Sequence, residues 1–518
     1  MDGAALIGGA VGRREFLARA GRAGIGALGV VSLGGPRAPI RGDRSDAAAS
    51  GREIVLETRQ LKWELAPGKS LTAMAYNGRV PGPEIRVKEG ERVRVLLRNE
   101  LGEPTTVHWH GVHVPNAMDG VPGITQKPVP AGGTFMYEFE ARPPGTRWYH
   151  THFQEHRQMD LGLAAPLIIE PAHGEPFPFD REHTLVLDDW AVGVGPPLPS
   201  TSAGVAGGRG EMGGMMSGMR GGGMMGGGMM GRGMGGRGMG GMMGGGSQNM
   251  PAYDTMTING KAYPATETLR LRKGERVRLR LINASAEHTH VIRLAGHQLH
   301  VTHADGNPLV EAVAVDAVPV APSERYDVLV TANRPGAWWL HCTQPGHAAA
   351  GEKVLVTYQG REGRKPDAVT EGVAGLHLWH YGLGQGRDVL PAASGSLRSF
   401  SQTLSGGMMG SDEWTINGKQ YPSTDPIVVK RGERVRVRLG NMSMEAHPMH
   451  LHGQSFAVLA INGQRLARPL VKDSVDVEAH MGAVDIEFTA HNPGDWFFHC
   501  HKPMHMEGGM IALVKIAG

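Results

Sequence analysis

Ile416-Asn417-Gly418-Lys419, followed by Gly432-Glu433-Arg434-Val435-Arg436, is the stretch that decides the fold. Asn-Gly signals a tight turn. The second segment alternates polar and apolar residues, as a half-buried strand does. The same pair occurs twice more: Tyr76-Asn77-Gly78-Arg79 precedes Gly90-Glu91-Arg92-Val93-Arg94, and Ile258-Asn259-Gly260-Lys261 precedes Gly274-Glu275-Arg276-Val277-Arg278. Each strand-like run ends in an asparagine, at Asn99, Asn283 and Asn441. The repeat is too long for a solenoid, so it predicts three homologous β domains. Gly-X-Trp corners recur late in each copy, at Gly145-Thr146-Arg147-Trp148, Gly336-Ala337-Trp338 and Gly494-Asp495-Trp496. Helix-period segments are scarce. The expectation is an all-β chain of three Greek-key β-sandwiches, at 51–172, 173–360 and 361–518.

The bulk numbers agree. A length of 518 residues suits roughly three domains. With 40% hydrophobic and 20% charged residues the chain is globular. A net charge of +3 implies neither nucleic acid nor an anionic membrane as partner. The two cysteines, Cys342 and Cys500, form no disulfide framework, although a bond between them stays open at this level.

Two segments stand apart. Residues 1–50 read as an export leader. Arg13-Arg14-Glu15-Phe16-Leu17 resembles the twin-arginine consensus, and a short apolar stretch follows, too short to span a bilayer. The expected location is periplasmic or extracellular, with no membrane span. Residues 204–246 are almost wholly Gly, Met and Arg. They read as a mobile insert in the second domain, because glycine-rich sequence has too much backbone entropy to fold alone.

Histidine carries the chemistry. With 25 histidines, chance gives roughly one His-X-His pair. Five occur: His108/His110, His150/His152, His288/His290, His450/His452 and His499/His501. Residues two apart on a strand face the same side, so each pair can aim two imidazoles at one point. In His499-Cys500-His501 the thiol must then face away from both imidazoles. His447 lies upstream, His505 five residues after Cys500, and Met510 ten after it. Two His, one Cys and a weak axial Met form the ligand set of a blue copper site.

Taken together, His108-Trp109-His110-Gly111, Trp148-Tyr149-His150-Thr151-His152, His447-Pro448-Met449-His450-Leu451-His452-Gly453 and His499-Cys500-His501-Lys502-Pro503-Met504-His505 make the chain resemble a three-domain multicopper oxidase of the bacterial laccase and cuprous oxidase type. The resemblance covers about 51–518 apart from the Met-rich insert. It implies cupredoxin-like domains and four coppers. The type 1 copper would sit on His447, Cys500 and His505 with Met510 axial. The type 2 copper would sit on His108 and His450, and the type 3 pair on His110, His150, His152, His452, His499 and His501. His499, Cys500 and His501 would also carry electrons between the sites. Asp119 matches a position that moves protons in the family. The second such acid is expected where Met506 stands, with Glu507 one residue later.

The second domain carries a partial copy. Trp338-Trp339-Leu340-His341-Cys342 parallels Trp496-Phe497-Phe498-His499-Cys500, and His290, His347 and Glu352 stand where His447, His505 and Met510 would. Thr343 replaces the second flanking histidine, so the copy reads as a relic of duplication. His113, His297, His300, His303, His377 and His380 show no convergent partner.

The function expected from the resemblance is one-electron oxidation of a phenol, an aromatic amine or Cu(I), coupled to four-electron reduction of O2 to water by a monomer. Clustered thioethers in 204–246 favour Cu(I), since soft sulfur selects it. The competing class is a non-catalytic periplasmic copper store or electron-transfer protein, which does not need the trinuclear histidines. Copper nitrite reductase and bilirubin oxidase are further enzymatic alternatives; three repeats count against the former.

Overall fold

The computed structural model describes residues 52–193, 251–372, 395–408 and 411–518. The leader at 1–50, the insert at 204–246, and His377 and His380 lie outside the described residues. The rest is built from three sheet-rich domains with few helices; the α-helices among the described residues are the short Glu155–Gln158 and Pro503–Glu507. None is long and apolar enough to cross a membrane.

The triple repeat is realised three times over. The strands Arg92–Asn99, Arg276–Asn283 and Arg434–Asn441 run inside their sheets, each parallel to the strand that opens its domain: Arg52–Ala66, Arg181–Trp190 and Leu397–Gly406. The Asn-Gly turns place both residues in the left-handed region, with φ of 50° and 70° at Asn77-Gly78, 54° and 68° at Asn259-Gly260, and 53° and 73° at Asn417-Gly418. That is the backbone of a type I′ hairpin turn. The terminal asparagines cross-brace the following loops. Asn441 Nδ2 donates to the carbonyls of Glu445 and Val477, as Asn283 Nδ2 does to His288 and Val320. Each brace stands just ahead of a histidine-bearing strand.

The middle copy departs from the alternating pattern. Arg92–Asn99 and Arg434–Asn441 bury one face, whereas Arg276–Asn283 is buried on both beyond its first residue. Arg280 explains this: it binds Asp327 and Glu182 in its own domain and the Thr146 hydroxyl of the first domain at 2.7 Å. The first domain covers the face that solvent would otherwise meet.

Each domain pairs two sheets. In the third, one sheet runs in the order Trp414–Ile416, Leu397–Gly406, Arg434–Asn441, Ala483–Thr489, Phe456–Ile461, Gln464–Lys472. Its partner runs Ile427–Lys430, Ile511–Ala517, Gly494–Cys500, His447–Leu451, Ser474–Val477. Val435, Val437, Ile486 and Phe488 of the first meet Trp496, Phe498, Cys500 and Val514 of the second in one apolar core. Burying such side chains stabilises each by about 1.5–3 kcal/mol. The first domain does the same with Val93, Val95 and Phe139 against Trp109, Tyr149 and Leu167. The histidine strands therefore sit in rigid, packed sheets.

Candidate metal centres

Gly494–Cys500 lies beside His447–Leu451 with Met449 opposite Cys500 and His450 opposite His499. Strand alternation turns the Cys500 thiol into the third-domain core and the flanking imidazoles outward. On the core side, Cys500 Sγ lies 3.7 Å from His447 Nδ1 and 3.5 Å from His505 Nδ1. His505 comes from Pro503–Glu507, the helix that follows the strand. Its ring stacks on Trp414, with centroids 3.7 Å apart. His447 Nε2 shares a 2.7 Å hydrogen bond with Ser443 Oγ. Met510 is buried in the same core and its carbonyl accepts the Cys500 N–H. Burial pushes the Cys500 thiol well above its ordinary range, so a metal ion must draw off its proton.

On the other side, eight imidazoles converge, four from the first domain and four from the third. His110, His150 and His501 form one set of potential ligands, His152, His452 and His499 another, and His108 and His450 join a further set with His110. The idea that each His-X-His pair aims at one point holds for His108/His110, which share a set, and fails for others. His150 and His152 fall into different sets, as do His499 and His501. Residues two apart on a strand are separated by about 6.6 Å. That spacing lets a pair be shared between neighbouring ions, as His150/His152 and His499/His501 are placed to be with ring centroids 6.2 Å and 5.7 Å apart, while His108 and His110, also 5.7 Å apart, keep to one set. The fifth pair divides too: His288 turns to Asp189, at 2.8 Å, and only His290 enters the second-domain cluster.

These imidazoles fit metal ions. His108 Nε2, His110 Nδ1, His150 Nε2, His152 Nε2, His450 Nε2 and both nitrogens of His501 are buried without a hydrogen-bond partner. Leaving such atoms unpaired costs about 1–3 kcal/mol each, a cost that coordination removes. Burial, and then the neighbouring histidines, holds His150, His450, His452 and His499 well below the ordinary imidazole range. These four rings are therefore neutral, the form that binds metal.

The remaining ring nitrogens are oriented from outside. His150 and His499 Nδ1 bond the carbonyls of Thr151 and Cys500, and His450 Nδ1 that of Asp473. Asp119 is buried, not a surface turn residue: its carbonyl meets His108 Nδ1 at 2.8 Å and its carboxylate His452 Nδ1 at 2.8 Å. Several acidic and basic groups were given no role in the sequence reading. Asp473 meets His110 Nε2 at 3.1 Å and is gripped by both ends of the Arg325 guanidinium at 2.6 Å. Glu155 is buried 3.0 Å from His152 Nδ1. Burial opposes its ionisation, but His152 overrides this and holds the carboxyl below its usual range. Lys502 is buried between Glu287 and Glu445, and Glu445 also meets His505 Nε2 at 3.2 Å. Only Glu155 left a trace in sequence, three residues after His152 at the start of a helix. Met506 and Glu507 stand elsewhere. Met506 packs with Val121, Phe497 and Ile511, and Glu507 pairs with His156.

Three multicopper oxidase family models match residues 57–174, 238–362 and 398–517. The chain is 32% identical to multicopper oxidase MmcO of Mycobacterium tuberculosis, over 90% of this chain and 88% of that one. The chain belongs to the multicopper oxidase family. Among its other relatives is a copper resistance protein A homolog of Pseudomonas syringae pv. tomato, 28% identical over 90% of this chain and 92% of the other. The crystal structure of a multi-copper oxidase from Pseudomonas thermotolerans superposes with a TM-score of 0.66 at 25% identity, covering 90% of this chain and 99% of that one. This multicopper oxidase thus carries His/Cys/His and His/His/His clusters of the kind that couple oxidation of a substrate to reduction of O2.

Proposed function

We propose that this oxidase takes single electrons from Cu(I), and less selectively from phenols and aromatic amines, and uses four of them to reduce O2 to water. In this reading the type 1 copper takes His447, Cys500, His505 and Met510. The type 2 copper takes His108 and His450. The type 3 pair takes His110, His150 and His501 on one ion and His152, His452 and His499 on the other. Bound copper supplies one-electron exchange at the first site and dioxygen reduction at the other three.

The chain's own residues do the rest. Cys500 links the two faces of its strand through a few covalent bonds to His499 and His501. The packed core keeps organic substrates away from the eight imidazoles. Asp119 and Glu155, each buried against an imidazole of the cluster, orient those rings and place carboxylates where they can relay protons to the site of oxygen reduction.

The observation that carries the choice of Cu(I) is a patch of thioethers. Met442, Met444 and Met481 are 58%, 66% and 69% exposed, among a small number of large apolar side chains left in solvent. Met442 and Met444 flank Ser443, which bonds His447, and Met481 is tied back by its N–H to the Asn441 carbonyl at 3.0 Å. Soft sulfur at the outer edge of His447 selects Cu(I). The Met-rich insert at 204–246 would serve as a first collector, and the twin-arginine leader would deliver the folded oxidase to the periplasm, where copper is handled.

Oxygen uptake with Cu(I) and with a phenol tests this. The Met442→Leu/Met444→Leu/Met481→Leu variant, and separately deletion of 204–246, should lower kcat/KM for Cu(I) by about tenfold and leave the phenol nearly unchanged. Equal losses for both substrates would remove Cu(I) as the preferred donor. Copper-loaded protein that consumes no oxygen with either donor would be a store or electron carrier instead.

A further inference from the structure

The second domain's partial copy is a finished ligand cage. His290, Cys342, His347 and Glu352 are all buried, and their ligand atoms lie within 4.8 Å of one another. Cys342 Sγ is 3.4 Å from His347 Nδ1, which is 3.2 Å from Glu352 Oε2. His290 Nδ1 lies 2.7 Å from Glu352 Oε1, yet neither atom has a partner in hydrogen-bonding geometry. Two buried polar atoms at that distance, but not aligned on each other, point at a shared third position.

The frame matches that of the third domain contact by contact. Ile292, two residues after His290, lies opposite Cys342, as Met449, two after His447, lies opposite Cys500. Ser285 Oγ bonds His290 Nε2 at 2.6 Å, as Ser443 Oγ bonds His447 Nε2 at 2.7 Å. Cys342 N–H donates to Glu352 O at 3.2 Å, as Cys500 N–H donates to Met510 O at 3.1 Å. A relic free of selection would not keep the outer hydrogen bonds that orient a ligand.

Two differences decide what the cage holds. A carboxylate replaces the thioether, so thiolate and carboxylate together bring two negative charges. A divalent ion is neutralised by them, whereas Cu(I) would leave a buried net negative charge, which is costly. The wiring is also cut. The flanking residue Thr343 directs its hydroxyl to the Val291 carbonyl, and the His341 imidazole is engaged by the Thr370 carbonyl at 3.1 Å. Among the described residues no imidazole leads from Cys342 to a second cluster.

We infer that His290, Cys342, His347 and Glu352 hold one redox-inactive divalent ion of the zinc class, in a four-coordinate site that braces the second domain. Closed tetrahedral sets of nitrogen, sulfur and oxygen donors are the zinc pattern.

Cobalt(II) tests this in the full-length Cys500→Ser chain, where Cys342 is the one remaining thiol. The expected result is a thiolate charge-transfer band that saturates with one equivalent of Co(II) beyond what Cys500→Ser/Cys342→Ser takes up on its histidines, and that is lost in this double variant. If that double variant does not fold, Cys500→Ser/Glu352→Gln keeps the thiolate and should bind Co(II) about tenfold or more weakly. Metal analysis of the unaltered oxidase should find one zinc-class ion per chain beyond its copper, absent after Glu352→Gln. Absence of a thiolate band in Cys500→Ser, or copper in this cage with a second visible thiolate band, overturns the assignment. Both readouts are independent of turnover, so they stand whether or not the Cu(I) reading holds.

Discussion

Asp119 Oδ2 lies 2.8 Å from His452 Nδ1, and through this contact a carboxylate of the first domain orients a ligand ring of the third. Asp119→Ala should leave the type 1 site reducible by substrate but slow reoxidation by O2 by about 10–100-fold, the usual cost of losing a group that orients a metal ligand. Stopped-flow reduction without oxygen and reoxidation with it separate the two steps. Equal slowing of both would place Asp119 in a general structural role.

Cys500→Ser should abolish the visible thiolate absorption and turnover together. The eight imidazoles on the far side of the strand remain, so copper content should fall by about one ion per chain, one ligand set being the loss. Metal analysis alongside the spectrum checks this. Loss of all copper would mean that the sites assemble as one unit.

Lys502→Met strands two carboxylates. Glu287 and Glu445 face Lys502 Nζ from the second domain and from the loop before His447. Removing one partner of a buried ion pair costs about 3–5 kcal/mol. Denaturant unfolding should show that loss, and Glu287→Gln added to Lys502→Met should restore part of it.

Asp188 makes a prediction about pH. Burial first, and the adjacent Asp189 carboxylate second, push its carboxyl well above the usual range. The folded protein therefore keeps a proton that the unfolded chain releases as pH rises through about 4. Stability contributed here is present at low pH and falls as pH climbs toward the folded-state value. Asp188→Asn removes that loss. It should stabilise the protein at pH 8 and change little at pH 4. Unfolding curves at the two pH values decide it, and an equal effect at both would show that the charge is not involved.

Much of this architecture was legible because local rules write it. The Asn-Gly turns, the alternating strands and the His-X-His spacing depend on neighbours a few residues away. What stayed hidden depends on packing between distant parts. Asp473 meets His110 across 363 residues of chain, and no motif marks it. Arg280 is buried because another domain covers it. The division of His150/His152 and of His499/His501 between ligand sets was only partly readable, since the strand rise permits it without requiring it. The face alone suggested convergence, which His108/His110 keep and these two pairs do not.

The eight imidazoles come in equal parts from the first domain and the third, which has a consequence for biosynthesis. His108, His110, His150 and His152 are made early and must wait, uncoordinated, until His499 and His501 have emerged. A chain that ends before His450 therefore presents only four of the eight imidazoles.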